Sequence, residues 1–485
     1  MPHFITLCLM LGLATPLVVA GLAWLFGKHP NLRDCLGPLG GVVTLGAALI
    51  VAQDVLGGNT PEWHLFTISA SIDFAFRVTP LGALFGVVAS GMWVMASMYS
   101  VGYMRGGKES HQTRFAVFYA IAIFAAMAIA WSGNLLMLFI FYEILTFSTY
   151  PLVIHKQTNE AMGVGRLYLA MLLSTSLLLF LPALVWVWLV AGTLDFTPGG
   201  ILAGRISNSE VVWLLLLFVL GIGKAAIMPL HRWLPAAMVA PTPVSALLHA
   251  VAVVKAGVFS ILTAVVYIIG GEVIVAAPAS VWVVWLACAT ILLSSIVAIQ
   301  KDDLKARLAY STISQLAYII LGATLASQLA IIGAGLHIAM HASAKITLFF
   351  CAGAFYVMAH KTKVSELDGL GYQMPLVFIA FAIGALSIIG LPPLGGTWSK
   401  FYLMAGAAER GLVMVIIVLA ISSLLNLYYL LEPVVRGFMR KPLDKTVPSR
   451  LPLMVIPPVI TAILSLWLFF VPWPFAPLAR LMGGS

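Results

Sequence analysis

Apolar residues fall along this chain in long unbroken runs, not in the alternation of a half-buried strand. A helix needs about 20 such residues to cross a hydrocarbon layer of about 30 Å. Runs of that kind occupy 3–26, 35–56, 78–102, 114–131, 134–154, 167–191, 211–228, 243–269, 279–299, 309–325, 329–358, 373–391, 411–431 and 452–473. The pattern predicts an all-α polytopic membrane protein with about 14 transmembrane helices. Two further apolar stretches, 229–240 and 392–409, follow spans seven and twelve where the chain should leave the membrane, and read as second halves of broken helices. Pro229 marks the first break, and Pro392, Pro393, Gly395 and Gly396 mark the second, because proline removes a backbone donor and clashes with the preceding turn. The broken spans lie five apart, which divides the chain into an N-terminal three-helix region (1–113), two five-helix units (114–269 and 270–431) and a C-terminal connection with the last helix (432–485). An odd number of helices per unit sends the second copy in from the opposite side, so inverted repeats are expected.

The charges between spans test that count. Eighteen of the 26 Lys and Arg lie in connections after odd-numbered spans; only Arg77, Arg205, Arg410 and Arg480 lie on the other side. Cytoplasmic loops carry the Lys/Arg excess, so both termini are expected on the non-cytoplasmic side of a bacterial inner membrane. The run 3–26 lacks a basic head, which favours a retained helix over a cleaved signal. With 9% charged and 62% hydrophobic residues, a set of soluble domains and a disordered chain are excluded. The net charge of +9 is dispersed, without the basic patch that nucleic acid requires. Cys8, Cys35, Cys288 and Cys351 stand singly, off the spacing of zinc or iron–sulfur ligands, so no metal, cofactor or catalytic redox site is read on this chain. The connections 57–77 and 432–451 are too short for a catalytic domain.

The remaining cations lie inside spans: Lys224, Lys255, Lys345 and Lys400, accompanied by Glu143 in span five. An ionised group against lipid is costly, so such residues face a bundle interior or a hydrated cavity. Glu143 is read either as half of an interhelical salt bridge or as a proton-accepting carboxylate that responds to a nearby lysine. Lys224, beside Gly221 and Gly223 at the first break, is its natural partner. Lys255 is expected to relay from that pair to later helices. His249 lies six residues earlier, off the Lys255 helix face, so water would have to join the two. The segment HIAMHASAK sets His337, His341 and Lys345 at intervals of four, about 6 Å apart on one helical stripe. Histidine exchanges protons near neutral pH; a satisfied packing stripe is the alternative, and two histidines without a third ligand make a poor metal site. Lys400 follows the second break as Lys224 adjoins the first. In HRWLPAAMVAPTPVSALLHA the prolines end and restart helices, placing Arg232 and Trp233 at an interface, while Asp302, Asp303, Lys305 and Arg307 read as an interfacial helix start.

The segments GIGKAAIMPLHRWLPAAMVAPTPVSALLHAVAVVKAG, LAYSTISQLAYIILG and HIAMHASAKITLFFCAG resemble the antiporter-like membrane subunits of respiratory complex I, membrane-bound hydrogenases and Mrp cation/proton antiporters. The resemblance runs from Arg77 to about Leu431. It implies a fourteen-helix core with paired inverted units and breaks in helices seven and twelve. Glu143 matches the family's carboxylate of span five, Lys224 its lysine of broken span seven, and Lys255 its relay lysine of span eight. His337, His341 and Lys345 match the later relay, and Lys400 the distal site, which is lysine in some members and glutamate in others. The implied mechanism is proton transfer along a hydrated central axis, coupled electrostatically to neighbouring subunits. The short C-terminal part most resembles the D-type member of the Mrp antiporters or its hydrogenase counterpart. The expected role is a proton-translocating subunit of a multisubunit Na+/H+ antiporter. A proton-pumping subunit of a hydrogenase or NADH–quinone oxidoreductase is the alternative, and a packing scaffold the third reading. Expected partners are other membrane subunits, protons, Na+ and lipids.

Overall fold

A computed structural model describes residues 2–69, 72–441, 449 and 451–483. Helices α1 (Pro2–Leu25) and α2 (Pro30–Leu56) lead into an antiparallel hairpin, β1 (Glu62–Ser69) and β2 (Ile72–Arg77). Then follow α3 (Pro80–Gly106), α4 (Gln112–Ala130), α5 (Leu135–Val153), α6 (Asn159–Ala191), α7 (Asn208–Gly221) and α8 (Thr242–Ile269). The rest comprises α9 (Val281–Ile299), α10 (Leu304–Leu325), α11 (Gln328–Ala359), α12 (Pro375–Ile389), α13 (Gly396–Glu409), α14 (Val413–Met439), α15 (Pro452–Phe470) and α16 (Phe475–Met482). Twelve described helices are long and apolar enough to cross a membrane. The two apolar helices that fall short, α7 and α12, lie where the sequence places the broken spans.

Burial sorts these helices into a centre and a rim. α8, α10 and α11 are buried almost throughout, and α11 packs against α3, α8, α10, α12, α13, α15 and α16. α1 and α14 instead expose large apolar side chains, among them Phe4, Leu7, Val413 and Leu424, as helices do when a lipid or partner surface is their solvent. The lysines and histidines singled out above sit on the central helices and on those that line them.

Three details depart from the sequence reading. The connection 57–77 is not a plain loop: it forms the hairpin, whose Phe74 and Phe76 rings lie 6.2 and 5.6 Å from Phe141 of α5. The thirteenth span runs on as helix to Met439, past the boundary at 431, because Glu432 and Arg436 form an i,i+4 ion pair of 2.9 Å that supports the added turns. A short helix, α16, follows the last span and buries Phe475, Leu478, Ala479 and Met482. Part of the C-terminal connection, including Lys445 and Arg450, falls outside the described residues.

Candidate functional site

At the first break, the sequence ends α7 earlier than its proline suggests. The helix stops at Gly221; Ile222 leaves helical geometry (φ −81°, ψ 64°), and Gly223–Ala225 form one 3₁₀ turn. Pro229 lies in the turn that follows, so it lengthens the interruption and does not start it. The expected second half-helix shrinks to one α-turn, Trp233–Ala236, followed by a 3₁₀ turn, Ala237–Val239. Trp233 corrects another expectation. It is fully buried, not interfacial, and its Nε1 donates to the Gly223 carbonyl at 3.1 Å, bracing the break from behind; Arg232 beside it is exposed. On the opposite side the broken backbone lies against Gly257 of α8, where a Cβ would collide with Lys224 and Ala225 main-chain atoms.

Lys224 is carried on that turn and is wholly buried. Its Nζ donates to the Tyr142 carbonyl at 2.8 Å and the Thr146 hydroxyl at 2.5 Å, and lies 3.1 Å from the centroid of the Tyr142 ring. The Tyr142 hydroxyl accepts the Lys224 backbone N–H at 3.1 Å. Glu143 is next on α5, yet neither of its buried carboxylate oxygens has a hydrogen-bond partner among the described residues, Lys224 included. A buried charged group without partners is expensive. Glu143 acts on Lys224 through its field only, and the lysine's hydrogen bonds go to hydroxyl and carbonyl groups instead.

The second break is built differently. α12 ends at Ile389, and Gly390 closes it in the left-handed region (φ +90°), a conformation that glycine adopts without a Cβ penalty. Pro392, Pro393 and Gly395 occupy the turn, and Gly396 opens α13, a helix of 14 residues. Lys400 folds back across the gap. Its Nζ donates to the Ile389 carbonyl and the Ser423 hydroxyl, each at 3.0 Å, and sits 4.9 Å from the Tyr318 ring centroid.

Between the breaks runs the histidine line. α8 contains π-helical turns at Leu247–Val251 and Ala264–Ile269, and Ala252 between them departs from ideal helix (φ −115°, ψ −68°). Such irregular turns re-aim the side chains that follow. Lys255 Nζ meets His341 Nδ1 at 2.5 Å. His341 and His337 stack with ring centroids 5.7 Å apart, and His337 Nδ1 meets the Ser399 hydroxyl at 2.8 Å, next to Lys400 in sequence. Tyr318 stacks on His337 at 5.5 Å. The outer ring nitrogens of both histidines have no partner among the described residues, and neither ring nitrogen of His249 has one. His249 instead lies 4.7 Å from the Phe349 ring. Lys345 leaves the stripe it shares with the histidines: its Nζ donates to the Leu308 carbonyl at 3.2 Å and the Ser311 hydroxyl at 2.8 Å on α10.

Charged residues of the helix-start segment take structural roles. Asp303 caps α10 by accepting the Ala306 N–H at 2.8 Å, and Arg307 pairs with Glu432 at 2.7 Å. Lys305 reaches the Met238 and Ala240 carbonyls at 2.7 and 2.6 Å, just beyond the first break. The residues that sequence reasoning missed are the neutral partners: Tyr142, Thr146, Tyr318, Ser399, Ser311 and Ser423. Hydroxyls are common in helices, and spacing alone does not mark which ones meet a lysine.

Residues 132–426 match the family described as NADH:quinone oxidoreductase/Mrp antiporter, TM, and residues 63–116 match NADH-ubiquinone oxidoreductase (complex I), chain 5 N-terminus. NADH-quinone oxidoreductase subunit N of Desulforudis audaxviator is 30% identical over 82% of this chain and 79% of its own length. A probable K(+)/H(+) antiporter protein of Rhizobium meliloti is 30% identical over 79% of this chain but only 38% of its own. The chain likewise spans 57% of a putative antiporter protein of Staphylococcus haemolyticus, less than two thirds of these longer relatives. In fold it is similar to a chain of the Mrp complex from a Dietzia species (TM-score 0.86, 20% identity, 99% of this chain and 97% of that one). It is equally similar to a chain of the membrane-bound sulfane sulfur reductase, an archaeal respiratory membrane complex (TM-score 0.86, 21% identity, 98% and 96%).

Proposed function

The chain belongs to the NADH:quinone oxidoreductase/Mrp antiporter membrane family, and we propose that it moves protons within a multisubunit Mrp-type monovalent cation (Na+)/H+ antiporter. The observation that carries this reading is the run of direct contacts Lys255–His341, the His341–His337 stack and His337–Ser399, ending beside Lys400. A proton relay needs groups that both accept and donate, held within hydrogen-bond reach or one water apart. Lysine and imidazole do this, and the unpartnered nitrogens of His249, His337 and His341 are the kind of buried polar atoms that ordered water satisfies.

Glu143 and Lys224 form the entry pair in this reading. In this reading Glu143 takes up a proton as Lys224 gives one up, which leaves the net charge of the pair unchanged. Lys255, with the histidines, passes the change towards Lys400. Other membrane subunits flank the rim helices, and both termini face the non-cytoplasmic side of a bacterial inner membrane. A second reading, a proton-pumping subunit of a redox-driven complex, is favoured by the Desulforudis relative, of which this chain covers 79%. There the electron chemistry belongs to partner chains.

Lys224→Ala in the assembled complex tests the reading. Proton-coupled transport in inverted membrane vesicles is expected to vanish while complex abundance stays level; full coupling in that variant removes Lys224 from the path. Purifying the native complex separates the two assemblies, since cation-antiporter subunits and iron–sulfur subunits are distinct companions.

A further inference from the structure

The first four helices close a ring, with α1 against α2, α2 against α3, α3 against α4 and α4 back against α1. They do not fill it. A cavity of about 530 Å³ lies between them, walled by Ala23 of α1, Trp93 of α3, and Ala116 and Tyr119 of α4. Arg33 and Asp34, at the start of α2, line one end of it with Gln112. From Gln112 to Ala120 the slot follows α4 for about 12 Å of helix rise, which approaches one leaflet of a hydrocarbon layer of about 30 Å. Close-packed interiors leave few voids larger than a water molecule. The end and the wall of this one differ in chemistry. Arg33 is only 6% exposed. Its Nε donates to Asp34 at 2.8 Å, its Nη1 to the Thr113 hydroxyl at 3.2 Å and its Nη2 to the Gln112 side-chain oxygen at 2.9 Å. A guanidinium has five N–H donors, so two of them lack a partner among the described residues. The other Asp34 oxygen is already taken by Arg105 at 2.7 Å, so one carboxylate serves two guanidinium groups. Lys28 and Lys108 stand exposed in the connections at the same end. Across residues 26–36 and 105–113, these four cations face two acids, Asp34 and Glu109. Deeper in, Ser97 and Ser100 donate to the Val94 and Ala96 carbonyls of their own helix, which leaves a largely apolar wall. The Tyr119 hydroxyl in that wall is buried and has no partner among the described residues.

We propose that this slot holds one anionic phospholipid, with its phosphate at Arg33, between Lys28 and Lys108, and an acyl chain laid among α1, α3 and α4. Phosphate oxygens accept the two spare guanidinium hydrogens as charge-assisted bonds. A cavity whose wall is apolar takes hydrocarbon in preference to water, and an ester carbonyl of the lipid accepts from Tyr119. The negative headgroup answers the excess of two cations, as basic pockets between membrane helices do for acidic lipids. A zwitterionic lipid brings its own cation to an end that is already cationic. A free phosphate leaves the length of the slot empty. The site is separate from the lysines and histidines of the proposed proton path, none of which lines it.

The test is lipid retention by the purified complex. Delipidated complex in detergent is titrated with dioleoyl phosphatidylglycerol, dioleoyl phosphatidylcholine or inorganic phosphate, and read by native mass spectrometry and thermal unfolding, since a ligand that binds only the folded state raises its melting temperature. The wild type is expected to retain one phosphatidylglycerol that Ala116→Phe loses, because that variant fills the slot and leaves every charge in place. Phosphatidylcholine should bind about tenfold more weakly or worse. Lys28→Gln combined with Lys108→Gln changes only exposed side chains, and should weaken phosphatidylglycerol about fivefold for each lysine. If phosphatidylcholine binds as tightly as phosphatidylglycerol, or if Ala116→Phe keeps the lipid, the proposal falls. Should Ala116→Phe not assemble, the lysine pair decides alone, and unchanged phosphatidylglycerol affinity in it overturns the site. Inorganic phosphate that stabilises as much as the lipid would make this an ion site only. A cross-link from Ala116→Cys to a partner subunit would put a protein helix in the slot, and also overturns the proposal.

Discussion

The two breaks place a lysine over a tyrosine ring by opposite constructions. At the first, the helix ends, the backbone is braced by Trp233 behind and by α8 at Gly257, and Lys224 reaches out to a neighbouring helix. At the second, Lys400 reaches back to its own span and lies on the terminal carbonyl of α12. The end of a helix presents unpaired carbonyls and a partial negative charge, so Lys400 has an acceptor built from backbone alone. Lys224 has a carboxylate beside it, and its direct bonds go to Tyr142 and Thr146. One lysine has a side-chain carboxylate for a neighbour, the other the fixed dipole of a helix end.

Lys400→Glu attacks that distinction most directly. A carboxylate is repelled by the Ile389 carbonyl and keeps only the Ser423 hydroxyl as a donor, and a poorly paired buried charge costs about 3–5 kcal/mol; coupled transport is expected to disappear, with Lys400→Arg retaining part of it. If Lys400→Glu transports normally, the helix terminus does not set the second site. Glu143→Gln comes next. On the proposed proton path it should lower coupled proton uptake about tenfold or more, equivalent to about 1.4 kcal/mol or more, because Lys224 loses its carboxylate neighbour. Unaltered uptake would reduce Glu143 to a packing residue. Tyr142→Phe should cost less, about 1 kcal/mol for one lost hydrogen bond to the Lys224 N–H, seen as a lower melting temperature of the purified complex. Tyr318→Phe keeps the ring under Lys400, so its thermal effect should be the smaller of the two.

Gly390→Ala probes the backbone of the second break. A Cβ in the left-handed region costs about 1–2 kcal/mol, and it would also meet the Lys400 side chain. Thermal unfolding should shift down; no shift would mean that the turn relaxes freely. The weakest effect concerns the loop between α11 and α12. Glu366 accepts the Lys363 and Thr362 backbone N–H groups, each at 3.0 Å, which holds its carboxyl below the ordinary value. Its contribution is present above the unfolded carboxylate value and fades as pH falls through the lower folded one. Amide exchange at Lys363 should therefore speed up in acid in the wild type and show no such pH step in Glu366→Gln.

Much of this was legible because lipid enforces it. Apolar runs of membrane-spanning length had to be helices, and a lysine within one had to find protein; all four lysines did, at positions named from charge scarcity alone. What the letters concealed was direction. HIAMHASAK reads as one stripe, yet Lys345 extends to Ser311 while His341 meets Lys255, because a four-carbon side chain can reach a different helix from its neighbours. Trp233 reads as an interfacial aromatic, but the buried break needed an N–H donor for the Gly223 carbonyl. The alternation of Trp63 with Leu65, and of Ile72, Phe74 and Phe76, was a strand signal masked by the helical context around it.

Lys305 gives the first break a mechanical character as well as an electrical one. By holding the Met238 and Ala240 carbonyls, it ties the segment after Lys224 to the first turn of α10, whose later turns carry Ser311 and Tyr318. Pulling the two apart breaks a pair of charge-assisted bonds worth about 1.5–3 kcal/mol each. The strap and the start of the helix are therefore tied as a rod ties two beams: neither shifts far from the other without breaking both bonds.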